Sequence, residues 1–212
     1  MTQASTTQPQ RQQQDPDTFE AIVRLGGWLF KQRTWLPLPL AFALLLVPPT
    51  ESRSSGLAWL GFAVVALGEL VRMWAVRHIG VASRTRSDRL GPLVSTGPFA
   101  VVRNPLYLGN ITLWVGFAVS ARLLWMAPLI VLLLASEYHA MVRWEEELLE
   151  SRLGESYRAY AARVPRWIPS PTPPPPAPLG AAHTWRETFF SERGTLIAIA
   201  VGYALLYVKD GI

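Results

Sequence analysis

Two stretches of the chain carry more chemistry than connectors need. The first, Gly91–Asn110, reads GPLVSTGPFAVVRNPLYLGN. Gly91, Gly97 and Pro98 make tight turns, and Asn104-Pro105 is a helix-start signal. A Gly–Pro-rich loop running into a helix N-terminus exposes backbone N–H groups, which can hold a carboxylate or the edge of a base. The plainer reading is a turn before a helix. The second stretch, Tyr138–Pro169, reads YHAMVRWEEELLESRLGESYRAYAARVPRWIP. Positions 138, 141, 142, 145, 148 and 149 share one helical stripe, so Glu145 stands at the end of an otherwise apolar face. Glu146 lies about 100° round the helix and can pair with Arg143 at i−3. Three adjacent glutamates also suit a solvated face. Against that, Tyr157, Tyr160, Trp167 and Ile168 are interleaved with Arg158, Arg163 and Arg166, which suits a segment held at lipid headgroups.

Elsewhere, Glu69 and Arg72 stand at i, i+3 inside an apolar run, where they read as an ion pair or as functional charges. His139 reads as a surface histidine in preference to a general base. His78 and His183 stand apart without metal-ligand spacing, and no metal is expected. The absence of Cys excludes a disulfide scaffold, a thiolate metal site and a cysteine nucleophile together.

The elements that must position these residues are apolar helices. Half of the 212 residues are hydrophobic and 17% are charged, against about 25% in soluble domains. The net charge of +5 suggests nucleic acid only if the basic residues cluster on a soluble surface. They fall between apolar blocks instead, the layout of an integral membrane protein, and no nucleic-acid partner is expected. Residues 1–18 read as a disordered tail. Phe19, Ile22, Val23, Leu29 and Phe30 recur at helical spacing, an amphipathic helix that either lies in the membrane interface or packs on the protein. Spans are expected at about 35–49, 56–79, 105–121 and 123–140, the third and fourth forming a hairpin. The fourth continues beyond the bilayer to about Arg152. A Pro-rich linker, 169–180, is expected to run extended. Beyond it, residues 181–212 read as an amphipathic segment and a fifth span, Gly194 to Val208. The fold expected is therefore all-α, with about five transmembrane helices.

With a cytosolic N-terminus, 17 of the 20 Lys and Arg fall on cytosolic segments, leaving Arg53, Arg122 and Lys209 outside. The positive-inside rule favours that orientation. It puts both chemical stretches on the cytosolic side, with a bacterial inner membrane the expected location.

Three pieces occur in order: Gly97-Pro98-Phe99, then Arg103-Asn104-Pro105-Leu106-Tyr107-Leu108-Gly109 at the head of the hairpin. The third is Glu145-Glu146 followed by Leu149, Gly154, Tyr157, Tyr160 and Arg163-Val164-Pro165. Together they resemble the isoprenylcysteine carboxyl methyltransferase family and its phospholipid N-methyltransferase relatives, over roughly residues 60–169. The resemblance implies an integral membrane enzyme using S-adenosylmethionine, held on the cytosolic side between the hairpin and the C-terminal segment. Carried over by position, cofactor contacts fall on Gly91, Pro92, Leu93, Val94, Phe99, Asn104, Pro105, Leu106, Tyr107 and Glu145. Asn104 and Gly91 stand where the eukaryotic prenylcysteine enzymes usually have His, and Met141 where they place an Arg for the substrate.

Methyl transfer from a sulfonium is an in-line displacement, so an enzyme mainly supplies proximity and alignment. Glu145 is expected to balance the cofactor's positive charge. Arg143 and Glu146 are the candidate catalytic residues, Arg143 being the nearest cation to orient an anionic group. The acceptor expected is an amphiphile: a prenylcysteine-like carboxylate, or a lipid amine or thiol. Two other readings are an NADPH-dependent membrane reductase of the sterol-reductase type, which the Glu145-Glu146 pair disfavours, and a non-enzymatic membrane scaffold.

Overall fold

The computed structural model describes residues 16–80, 93–171 and 183–211. Among these the chain is helical throughout, with seven α-helices, one 3-10 turn and no strand. Residues 1–15 of the expected tail (1–18) and most of the expected proline linker (169–180) lie outside the described residues.

The first helix, α1 (Pro16–Gln32), begins three residues before the expected Phe19. Pro16 presets the first helical φ and Asp17 faces the helix N-terminus, so positions 16–18 belong to the helix rather than to a tail. The helix packs along α5 (Met126–Leu153). A Cβ on Gly26 would strike the Ala140 carbonyl, and one on Gly27 would lie 2.9 Å from Trp144 Nε1. Phe30 and Trp144 pack with ring centroids 4.8 Å apart. Of the two readings of this segment, packing on the protein is observed, while Leu25 and Trp28 stay exposed.

A tight turn, with Trp35 N–H on the Gln32 carbonyl at 2.8 Å, leads into α2 (Pro37–Leu46). At 10 residues it is about 15 Å long and ends three residues short of the expected Pro49. Its last turn is capped from afar: Lys209 Nζ donates to the carbonyls of Leu44 at 2.6 Å and Val47 at 2.7 Å.

The helix α3 (Ser55–Ile79) starts at Ser54, whose hydroxyl accepts from Leu57 N–H. It runs antiparallel to α4 (Pro105–Ser120) along a seam of small residues. Cβ atoms on Gly61 and Gly68 would lie 2.9 Å and 2.8 Å from the carbonyls of Gly116 and Gly109. Such seams let helix backbones approach where lipid gives no hydrophobic drive. After α4 the chain reverses through Arg122 (φ 57), whose carbonyl accepts from Thr50 and Glu51 N–H. The loops 47–54 and 121–125 therefore share one end of the bundle.

At 28 residues, α5 extends about 42 Å, more than a hydrocarbon core of about 30 Å. Gly154, at φ 53, breaks it and starts α6 (Glu155–Arg163). The last helix, α7 (Trp185–Gly211), starts nine residues before the expected Gly194 and runs antiparallel to α3. Tyr203 packs on Phe62 and Phe117, and its hydroxyl lies 3.1 Å from Ser120 Oγ.

Leu123, Ile130, Leu134 and Met141 are buried in the core, with Phe30, Leu40, Leu44 and Leu206 around them. The outward faces are also apolar: Trp59, Leu60, Leu67 and Leu70 on α3, Leu132 and Leu133 on α5, Ile197 and Val201 on α7. Contiguous exposed apolar surface of this extent belongs in a bilayer. Among the described residues three helices, Ser55–Ile79, Met126–Leu153 and Trp185–Lys209, are long and apolar enough to cross a membrane.

Candidate active site

The two chemical stretches meet at the end of the bundle where α4 begins and α5 ends. A 3-10 turn over Gly97–Ala100, opened by Gly97 at φ 59, leads to Asn104 and the α4 N-terminus. The segment after α6 folds back across it. Pro165 carbonyl accepts from Arg103 N–H at 2.9 Å, and Val101 carbonyl accepts from Ser170 N–H at 3.0 Å. Asn104 Nδ2 donates to the Arg166 carbonyl at 3.1 Å, and Tyr160 hydroxyl donates to the Phe99 carbonyl at 2.8 Å.

Glu146 ties this arrangement together. Arg103 Nη1 donates to Oε1 at 2.7 Å, and Arg166 donates through Nη2 to Oε2 at 2.6 Å and through Nε to Oε1 at 2.9 Å. One carboxylate thus joins the loop before α4, helix α5 and the segment after α6. The hydrogen bond to Glu146 raises the Arg166 pKa above its ordinary value. Burial, aided by the Glu146 charge, pushes the Tyr157 hydroxyl up to about 12. Both groups keep their protons at neutral pH and can serve as donors.

Glu145, one residue earlier, faces the hairpin. Tyr107 hydroxyl donates to its Oε2 at 3.0 Å, and the Tyr107 ring lies against Tyr138 with centroids 4.6 Å apart. Arg33, at the end of α1, acts electrostatically on both Tyr107 and Glu145. Close by in sequence, the His139 ring stacks on Trp167 and is half-buried, so it is no plain surface histidine.

A cleft of about 410 Å³ lies beside the carboxylates, lined by Phe19, Arg103, Arg143, Glu146, Tyr157 and Arg166 among others. Its size falls within the roughly 300–1,000 Å³ of small-molecule sites. Arg143 lies over the Phe19 ring at 4.7 Å.

Of the expected site residues, Asn104, Pro105, Tyr107 and Glu145 come together, with Leu106 in the same first turn of α4. Arg143 and Glu146 line the cleft instead. Leu93 packs under Tyr157, Tyr160 and Val164, and Phe99 is buried with its carbonyl on Tyr160, so both hold α6 in place. Val94 is half-buried in the loop. Gly91 and Pro92 lie outside the described residues. Sequence reasoning missed Arg103 and Arg166 as the partners of Glu146, although each sits inside or beside a motif. Among the described residues no three His, Cys, Asp or Glu converge as a metal site requires.

The donor set suits a cationic, adenine-bearing group. A carboxylate meets positive charge, the packed Tyr107 and Tyr138 rings stand beside it, and the amide of Asn104 offers both a donor and an acceptor. Unpaired N–H groups of the first α4 turn add donors.

The nickel-cobalt-cadmium resistance protein NccN of Alcaligenes xylosoxydans xylosoxydans is 30% identical over 116 residues, 55% of this chain and 51% of that protein. The cobalt-zinc-cadmium resistance protein CzcN of Cupriavidus metallidurans is 29% identical over 110 residues, 52% of this chain and 48% of that protein. The chain thus spans about half the length of the curated relatives it matches. No solved structure matches. Residues 57–156 match the phospholipid methyltransferase family. That match takes in the hairpin, Tyr107, Tyr138, Glu145 and Glu146, the residues on which the resemblance to this family rests.

Proposed function

We propose that the protein is an integral membrane methyltransferase that uses S-adenosylmethionine to methylate an amphiphilic acceptor. In this reading α2, α3, α4, α5 and α7 cross the bilayer, α1 lies at its cytosolic interface, and residues 19–168 form the methyltransferase domain. The proline stretch is a linker, and the site faces the cytosol. The observation that carries the reading is the meeting of the two motif segments at one end of the bundle, with Tyr107 on Glu145 at 3.0 Å.

When bound, the cofactor supplies an electrophilic methyl group on a sulfonium. The chain's own residues bind and align. Glu145, oriented by the Tyr107 hydroxyl, offsets the positive charge. Tyr107 and Tyr138 wall the site with aromatic faces, and Asn104 with the first turn of α4 addresses the polar edge of the base. Arg143, on the cleft wall, orients an anionic group of the acceptor, whose apolar tail stays in lipid. Glu146, expected to act in catalysis, serves in this geometry to hold the return segment: its carboxylate is already taken by two arginines.

Calorimetric titration of detergent-solubilised protein with S-adenosylmethionine, and separately with NADPH, tests the reading. Binding of the first alone supports it; binding of NADPH alone assigns a reductase. A charge-assisted bond contributes about 1.5–3 kcal/mol, so Glu145→Gln is expected to weaken S-adenosylmethionine by roughly 10- to 150-fold. Glu147→Gln, on the exposed side of α5, is expected to change it little. Equal affinities of the two variants remove Glu145 from the site.

A further inference from the structure

Helix α7 lies beyond the residues that match the family, yet its N-terminal half turns a polar stripe inward. Thr188, Ser191, Glu192 and Thr195 recur at i, i+3, i+4 and i+7, one helical face, and Thr188 and Glu192 are each 1% exposed. Opposite them stands Arg72 of α3, whose guanidinium is shared among three helices. Nη2 donates to Glu192 Oε2 at 2.7 Å and to Thr195 Oγ1 at 3.2 Å. Nη1 donates to Asn110 Oδ1 of α4, and Nε lies 3.5 Å from Glu69 Oε2. The Asn110 side chain in turn acts on the Tyr138 hydroxyl. Tyr138 packs on Tyr107, and Tyr107 holds Glu145.

We infer that Glu192 is a positioning residue for the site, acting through Arg72 and Asn110 on the Tyr138–Tyr107 wall. Its effect on cofactor affinity rests on the methyltransferase reading; its effect on the tyrosines does not. An asparagine amide has two unlike ends. With Arg72 holding Oδ1, the amide that acts on Tyr138 is set, and with it the ring that backs Tyr107. Arg72 stands between two buried carboxylates, and the shorter contact is to Glu192. Remove that charge and the nearest carboxylate is Glu69, one turn back on the same helix. A buried guanidinium does not stay unpaired, so it moves toward Glu69 and lets go of Asn110. The wall then loses its fixed orientation, although every residue of the family segment is intact.

Two measurements test the inference. The first needs no cofactor: 3-fluorotyrosine placed at position 107 and followed by fluorine NMR. Glu192→Gln is expected to shift and broaden the signal, Glu192→Asp to shift it less, and Arg186→Gln, an exposed position on the same helix, to leave it alone. An unchanged signal in both Glu192 variants overturns the inference. The second is calorimetric titration with S-adenosylmethionine. Glu192→Gln is expected to weaken binding about 5- to 20-fold, and its loss combined with that of Glu145→Gln is expected to be smaller than the product of the two. Losses that multiply show independent sites and also overturn it. Should wild-type protein bind no S-adenosylmethionine while the fluorine signal still responds, the methyltransferase reading falls and the positioning role stands. If Glu192→Gln does not fold, Glu192→Asp decides both measurements.

Discussion

Arg166 meets Glu146 side-on, with Nη2 2.6 Å from Oε2 and Nε 2.9 Å from Oε1. The two residues lie on either side of α6, so the contact closes a loop that brings the chain back over the start of α4. Arg103 completes it at 2.7 Å.

Glu146→Gln leaves two guanidiniums without their anion, at a cost of about 1.5–3 kcal/mol. The return segment is expected to open before the bundle melts. Limited trypsin digestion checks this, with cleavage after Arg158 and Arg163 accelerating in the variant. Arg166→Lys keeps the charge but loses the two-pronged contact, and its cleavage rate is expected between the two. Unchanged digestion means that the clamp does not hold the segment.

Tyr107→Phe keeps the ring on Tyr138 and removes only the hydroxyl that orients Glu145. Affinity for S-adenosylmethionine is expected to fall by about 5- to 10-fold, less than for Glu145→Gln, because the carboxylate remains. Titrating both variants and their combination separates orientation from charge. A combined loss equal to that of Glu145→Gln alone shows that the hydroxyl works through the carboxylate.

The seam of α3 and α4 has no room for side chains. Gly68→Val places a Cβ 2.8 Å from the Gly109 carbonyl and the Leu113 nitrogen, and overpacking of this kind costs about 1–3 kcal/mol. Gly56→Ala, where a Cβ meets only Ser54 Oγ at 3.4 Å, serves as the tolerated control. Thermal unfolding in detergent compares them, and equal midpoints contradict the packing described.

Because the chain has no Cys, single cysteines report topology cleanly. Ser52→Cys is expected to react in intact cells with a thiol reagent that does not cross the membrane, and Ser156→Cys only after lysis. Both positions are exposed. The reverse pattern puts the site on the face without S-adenosylmethionine.

The sequence carried the parts of the site that local spacing governs. Asn104-Pro105 starts α4 as its residue types require, and the helical stripe ending in Glu145 faces Tyr107. What remained hidden depends on pairings between distant positions. Nothing local tells Glu146 that its cations are Arg103, 43 residues away, and Arg166, 20 away. The inward stripe of α7 was hidden for a related reason. Glu192 and Thr195 straddle the apparent start of an apolar run, so a reading by composition cuts the helix at Gly194. Helix α1 offered a signal in Gly26-Gly27, whose missing side chains permit its crossing with α5.

Lys209 has a consequence for the order in which the molecule is made. The carbonyls of Leu44 and Val47 leave the ribosome long before the ammonium that meets them, with 165 and 162 positions of chain between. Until α7 has entered the bilayer, the end of α2 has only water or lipid headgroups for these two acceptors. Neither helix belongs to the matched stretch 57–156, and each finishes the other across it. The flanks can therefore be fastened to each other only after Lys209 has been made. A nascent chain halted before α7 lacks the ammonium that these two carbonyls meet.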